Sequence, residues 1–262
     1  MSAEGGATPV ESLVRAVKIP IAGVMGVSIG HRAVDVTETT ARRSCLVLAP
    51  HPDDETLGCG ATIMRKIATG TRVDVLVLTD GAMWPPWNDH EHNVAVRAAE
   101  LGTACHLLGL ASDQVTTLSF PETQLHLHSD SLVDALSDAI RTHKPDDVLA
   151  TSEADPHGDH AAVGAAVRRA LAGSASRLLA YPIWQWERPR SWVRTVQAAS
   201  RPETVSTTGY LQRKREAVAV YRSQISTGTG RHRTEGLEPW FLRHFLGQRE
   251  IFFPVPTAPS RA

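Results

Sequence analysis

The sequence is poor in cysteine, with only Cys45, Cys59 and Cys105 in 262 residues. Their number is odd, their spacing is scattered, and no CxxC occurs. A disulfide framework and a cysteine-based zinc site are set aside, and a reducing cytoplasm is the expected compartment. An excess of charge of either sign is also missing. Lys plus Arg number 27 against 28 Asp plus Glu. That balance argues against nucleic acid or an anionic membrane as a partner. Long apolar runs are absent too. The stretch Ile19 to Ile29 is broken by Pro20, Gly23 and Gly26 and is too short to span a bilayer. It follows a leader with both acids and bases and lacks a convincing cleavage site, so no signal peptide is expected. Repeats and low-complexity linkers are lacking as well, which favours one domain.

What is present is a rhythm of short buried runs and helical periods that begins at Ser44. Strands are expected at Cys45 to Ala49, Arg72 to Thr79, His106 to Leu108, Asp147 to Thr151, Leu178 to Ile183 and Glu250 to Phe253. Helices are expected at Glu55 to Ala68, Glu91 to Leu101, Leu132 to His143 and His160 to Leu171. Runs this apolar are buried on both faces, and their alternation with helices implies right-handed crossovers. The expected fold class is therefore α/β, Rossmann-like, with a mainly parallel sheet flanked by helices on both faces. Residues 1–43 read as an N-terminal extension and residues 44–262 as the main domain. In such sheets ligands sit beyond the C-terminal strand ends. The segments there are His51 to Asp54, Asp80 to Asn88 and Ser152 to His160.

Those segments carry the chemistry. "LVLAPHPDDETLGCG" runs from a buried strand into His51, Asp53, Asp54 and Glu55. "SEADPHGDH" supplies Asp155, His157, Asp159 and His160 after a later strand. Two histidines and a carboxylate from separate loops make a three-ligand zinc site with a fourth position for water. Zinc lowers the pKa of such a water and polarises a carbonyl. A carboxylate left over beside the ligands, Asp53, is placed to take the water's proton. Each piece also has a plain role. Acids at 53–55 suit the first turn of a helix, Asp159 suits a cap, and a lone histidine suits packing. The coincidence of two His/Asp groups at one sheet edge favours the metal site.

At this point the residues resemble a family. "PHPDDE" (Pro50 to Glu55) followed by "TLGCGATI", together with "HGDH" (His157 to His160), is similar to the signature of the LmbE-like, or PIG-L-type, N-acetylglucosaminyl deacetylases. "RAAE" (Arg97 to Glu100), "LG" (Leu101, Gly102) and "KREAVAVYRSQ" (Lys214 to Gln224) are weaker matches, and the likeness extends over about residues 44–253. The resemblance implies a Rossmann-like fold, a divalent metal, usually Zn2+ with Fe2+ as an alternative, and removal of an acetyl group from an amino sugar. It implies His51, Asp54 and His160 as metal ligands and Asp53 as general base. It implies His157 as oxyanion stabiliser or acid, with Asp159 orienting its ring, and Arg97 near substrate hydroxyls. Gly158 stands where proline is common in the family.

The loops beyond two strands add substrate candidates. "MWPPWNDH" (Met83 to His90) and "YPIWQWERPRSW" (Tyr181 to Trp192) are rich in tryptophan and proline. Indole faces pack on the C–H faces of sugars, and they equally stiffen loops. Trp84 is the leading indole, and Asp80 and Asn88 suit sugar hydroxyls. Ser226 to Phe241 is glycine-rich and basic, then apolar, and reads as a flap or an anion-binding loop. The expected partner is a small-molecule or glycoconjugate substrate. A homo-oligomer is compatible with the sequence. Two alternatives stand beside deacetylation: an amidase acting on a thiol–sugar conjugate or a larger acyl group, and a non-catalytic carbohydrate-binding relative.

Overall fold

A computed structural model describes residues 32–83, 89–188, 201–225 and 236–256. Its strands are β1 (Val34–Asp35), β2 (Cys45–Ala49), β3 (Val73–Thr79), β4 (Val115–Phe120), β5 (Asp147–Thr151), β6 (Arg177–Tyr181), β7 (Glu203–Ser206) and β8 (Arg249–Val255). They form one sheet in the order β1-β7-β8-β6-β5-β2-β3-β4. The five strands from β6 to β4 pair in parallel, and β8 runs antiparallel to both β6 and β7. The α-helices are α1 (Thr37–Ala41), α2 (Asp54–Ala68), α3 (His90–Leu108), α4 (Ser129–His143), α5 (Gly158–Ala170), α6 (Leu211–Val218) and α7 (Pro239–Leu242). Among the described residues no helix is long and apolar enough to cross a membrane.

Side-chain alternation along each strand divides the core into two layers. Cys45, Val47 and Ala49 of β2 join Val73, Val75 and Val77 of β3 beneath α2 and α3. Leu46 and Leu48, with Leu76 and Leu78, face the opposite way and pack with α4 and α5. Every residue of β2, β3 and β5 is buried, so these strands read as mostly apolar runs on both faces, with Asp74 and Asp147 the buried acids among them. Each fully buried Val or Leu contributes roughly 1.5–3 kcal/mol, which fixes the register of the central strands against slippage.

Two expectations are corrected. His106 to Leu108 is not a strand; it is the last turn of α3. That helix passes through Gly102 and ends only at Gly109, whose φ of 90° is the left-handed conformation of a helix stop. The next strand, β4, begins at Val115. As a sheet edge it is half exposed and lacks the apolar run that would mark it.

Sheet order places the site. The chain lays β3 and β4 to one side of β2, then returns to lay β5 and β6 on the other. The reversal creates a crevice at the C-terminal ends of β2 and β5, the position where open α/β sheets bind ligands. The first motif leaves β2 there and the second leaves β5.

Candidate metal and catalytic site

Both motifs turn directly from a buried strand into a helix. Asp53 precedes α2 and His157 precedes α5. The His157 ring caps α5 by accepting from the Asp159 backbone N–H at 3.3 Å. Gly164 lets α5 press on the loop behind β5, because a Cβ there would overlap the backbone of Ser152 and Glu153. The two loops are thus held by rigid elements on both sides.

His51, Asp54 and His160 converge. His51 Nδ1 lies 3.1 Å from His160 Nε2. Asp54 Oδ2 lies 3.3 Å from each of these nitrogens. Three ligands bound at about 2.0–2.1 Å around a tetrahedral ion stand about 3.3 Å apart, so this triangle has the dimensions of a zinc face. All three residues are buried. A second grouping, His51, His157 and His160, brings three ligand atoms within 4.8 Å of one another. The first set is the tighter and supplies an anionic ligand to offset the charge of a cation.

Carboxylates stand behind the two buried histidines, as is usual for metal-binding imidazoles. Asp159 Oδ2 lies 3.1 Å from His51 Nε2. Asp155 Oδ1 lies 3.7 Å from His160 Nδ1. Among the described residues, His160 Nδ1 and Asp155 Oδ2 are buried with no hydrogen-bond partner. A small tilt of the His160 ring towards a ligand position would let the two groups meet. The residues present fit a divalent cation.

The electrostatics agree. Burial opposes charge on His160, but Asp54 and Asp155 push it up to about 9. Burial likewise opposes charge on His51, and Asp159 and Asp54 raise it well above the usual histidine range. Burial works against ionised Asp54, yet His160 and His51 hold it below the ordinary carboxylate range. A crevice that favours both protonated imidazoles and an ionised carboxylate is one that stabilises positive charge. His157 behaves differently. Burial, then His160 and His51, push it down to about 4, so its ring is neutral at pH 7. Burial raises Asp53 to about 7, against the pull of Arg97 and with the push of Asp54 and Glu55.

The other expected site residues fall into place unevenly. Arg97 is buried and donates to Pro52 O and, at 3.2 Å, to Asp53 Oδ2. It therefore sits on the proposed base. Asp80 accepts from Ala82 N–H at 3.2 Å and faces His90 Nε2 at 3.2 Å, which ties it to its own loop. Trp84, Asn88, Trp192, Arg231 and Arg233 lie outside the described residues. The resemblance implies that Asp159 orients the His157 ring; the Asp159 carboxylate instead contacts His51, and only its N–H reaches His157.

Two features at the crevice had no signal in the sequence, and a third comes from a loop that the sequence had marked. The Asp159 carboxylate accepts from Thr123 N–H at 2.7 Å and Leu125 N–H at 3.1 Å, which draws the loop after β4 across the site. Glu122 on that loop comes within 3.7 Å of His51 Nε2. Trp184, from the second tryptophan-rich loop, stacks near the His157 ring with centroids 6.3 Å apart and on Phe241 at 4.9 Å. It makes an aromatic wall beside the histidines.

Comparisons with known proteins converge on one group. The family model for PIG-L, GlcNAc-PI de-N-acetylase, matches residues 46–171. The uncharacterized deacetylase YaiS of Escherichia coli (strain K12) is 32% identical over 133 residues, 49% of this chain and 68% of that protein. N,N'-diacetylchitobiose deacetylase from Pyrococcus horikoshii superposes with a TM-score of 0.63 at 22% identity, covering 84% of this chain and 87% of that one. The conserved protein TT1542 from Thermus thermophilus gives a TM-score of 0.59 at 29% identity, covering 84% and 100%. The fold and the crevice motifs define a Rossmann-like α/β protein with a histidine–carboxylate centre. The chain belongs to the PIG-L, or LmbE-like, family.

Proposed function

We propose that this protein is a metal-dependent N-deacetylase of an amino sugar or its glycoconjugate, releasing acetate and a free amine. The observation that carries the reading is the triangle of His51 Nδ1, Asp54 Oδ2 and His160 Nε2, with edges of 3.1, 3.3 and 3.3 Å, beside a carboxylate outside the triangle, Asp53. Family membership and the deacetylase relatives support it.

His51, Asp54 and His160 would hold the cation, zinc in the first place. When bound, it supplies Lewis acidity, which lowers the pKa of water and polarises an amide carbonyl. Asp53 takes a proton from the water that attacks the acyl carbon. A carboxyl near neutrality suits both acceptance and later return of that proton. The His157 Nδ1 accepts a backbone N–H, so the neutral ring carries its proton on Nε2. That N–H donates to the acyl oxygen as negative charge gathers there, and the bond is stronger in the transition state than in the ground state. Asp53 passes its proton to the nitrogen, the C–N bond breaks, and the amine leaves neutral. Trp184 offers an indole face for the sugar beside His157. The three buried thiols suit a reducing compartment.

The test is a panel of N-acetylated amino sugars and glycosides, scored for primary amine release. Release is expected with zinc, lost on chelation and restored by metal. Asp53→Asn should keep stoichiometric zinc while losing turnover. A zinc-loaded wild-type protein that releases no amine across the panel would sink the reading.

A further inference from the structure

The C-terminal stretch "KREAVAVYRSQ" has no role in the mechanism above, yet it ends against Asp53 from two directions. The backbone of Asp53 is the starting point. Its φ is 130° and its ψ −27°, a conformation that a non-glycine residue rarely adopts. Such a conformation persists only where the surroundings over-determine it.

One clamp acts on the backbone. The Asp53 N–H donates to Glu55 Oε2 at 3.0 Å. Glu55 is fully buried, and its other oxygen accepts from the Tyr221 hydroxyl at 2.5 Å and from Thr56 Oγ1 at 2.5 Å. The second clamp acts on the side chain. Arg97 Nη2 donates to Asp53 Oδ2, and Arg97 Nη1 faces Glu100 Oε2 at 3.8 Å. Glu100 in turn accepts from Ser223 N–H at 2.8 Å and Ser223 Oγ at 2.6 Å. The clamps also touch each other, for the Arg97 guanidinium lies 5.6 Å from the Tyr221 ring centroid. Both end on the turn Tyr221–Ser223, which follows α6 and is closed by Gln224 N–H donating to Tyr221 O at 3.0 Å.

The geometry points to Tyr221 and Ser223 as positioning residues for Asp53, acting through Glu55 on its backbone and through Glu100 and Arg97 on its carboxylate. The inference rests on the reading of Asp53 as the general base. A phenylalanine at 221 would fill the same space and lack only the bond to Glu55. An alanine at 223 would keep the N–H bond to Glu100 and lose the hydroxyl one. The bonds removed are to Glu55 and Glu100, neither of them a proposed metal ligand.

The experiment compares wild type, Tyr221→Phe, Ser223→Ala, Ser223→Thr and Asp53→Ala, each loaded with zinc. The substrate is whichever N-acetylated amino sugar wild type turns over fastest, and crystal structures of the 221 and 223 variants are solved in parallel. Tyr221→Phe and Ser223→Ala should lower kcat roughly ten- to hundredfold, the scale of a small misplacement of a reacting group. KM and zinc content should hold, and Ser223→Thr should recover most of kcat. The crystal structures should show Asp53 leaving its positive φ or its carboxylate turning. Variants that keep kcat within twofold while Asp53→Ala is inactive would overturn the positioning role alone. If wild type releases no amine, or Asp53→Ala keeps full turnover, the base assignment falls separately. The crystal structures then decide the positioning role, and an unmoved Asp53 in both variants refutes it.

Discussion

Lys214 Nζ lies 2.6 Å from Glu250 Oε1, and this buried ion pair is fastened to the middle of α2. Glu250 accepts from Ala61 N–H at 2.7 Å and Thr62 N–H at 2.8 Å, and Lys214 donates to Leu57 O at 2.7 Å. Leu57 O and Ala61 N are the acceptor and donor of one helical turn. The pair thus grips the backbone of the helix whose first residue is Asp54. Lys214→Met should leave Glu250 as a lone buried charge and cost about 3–5 kcal/mol. Adding Glu250→Gln should recover part of that loss. Urea denaturation of the single and double variants measures both, and a double variant no better than Lys214→Met would contradict the account.

The two groupings of metal donors predict different thermal shifts. Zinc at a hundredfold over its Kd should stabilise the metal-free protein by about 2.7 kcal/mol. Asp54→Ala and His160→Ala should abolish the rise in Tm, while His157→Ala should keep it. A rise lost in His157→Ala but kept in Asp54→Ala would instead assign the centre to His51, His157 and His160, since His160 is common to both sets.

Gly164→Ala brings a methyl group onto the backbone of Ser152 and Glu153. Overpacking of this kind costs typically about 1–3 kcal/mol. Because the strained loop carries Asp155 and His157, zinc affinity should fall together with the urea midpoint. A lowered midpoint with unchanged zinc affinity would show that the loop is not coupled to α5 in this way.

The loop before β5 gives a pH signature. Asp146 Oδ2 accepts from Ser44 N–H at 2.8 Å and Ser44 Oγ at 2.9 Å. These two bonds, the hydroxyl first, lower its pKa from the ordinary 3.8. A carboxyl with a depressed folded pKa binds fewer protons when folded than when unfolded. Its stabilising effect is complete above the unfolded value and disappears as pH falls through the folded one. Wild type should therefore exceed Asp146→Asn in stability at pH 7, with the gap closing below pH 3.8. Urea midpoints across this range read it directly. A gap that widens on acidification would reverse the sign.

The parts legible in the sequence were those where burial dictates composition. β2, β3 and β5 are buried on both faces, so runs such as "LVLA" and "DVLAT" announce them. Parallel pairing and Rossmann-like order follow from their alternation with helices. The first and second motifs were visible because strand-to-helix turns at a switch point concentrate polar residues there. β4 and β7 were not legible: β4 is an exposed edge with half its residues facing water, and β7 is only four residues long. Contacts across long separations were also hidden. Tyr221 meets Glu55 at a separation of 166 residues, and Glu250 meets Ala61 at 189. No spacing rule relates such positions, since the sheet order brings them together. The partner of Asp159 was hidden for the same reason, because local spacing favours its neighbour His157 over the distant His51.

The long reach of Glu250 has a consequence for the order in which this protein comes to life. During translation, a growing chain that has emerged as far as Ala170 already displays all the proposed cation-binding side chains. It still lacks Lys214, Tyr221 and Glu250, which arrive up to 80 residues later in the count from Ala170 to Glu250. The proposed ligands are thus synthesised well before β8, whose Glu250 steadies the helix that Asp54 begins. On this reading the residues that position Asp53 and brace α2 are synthesised after the proposed cation ligands.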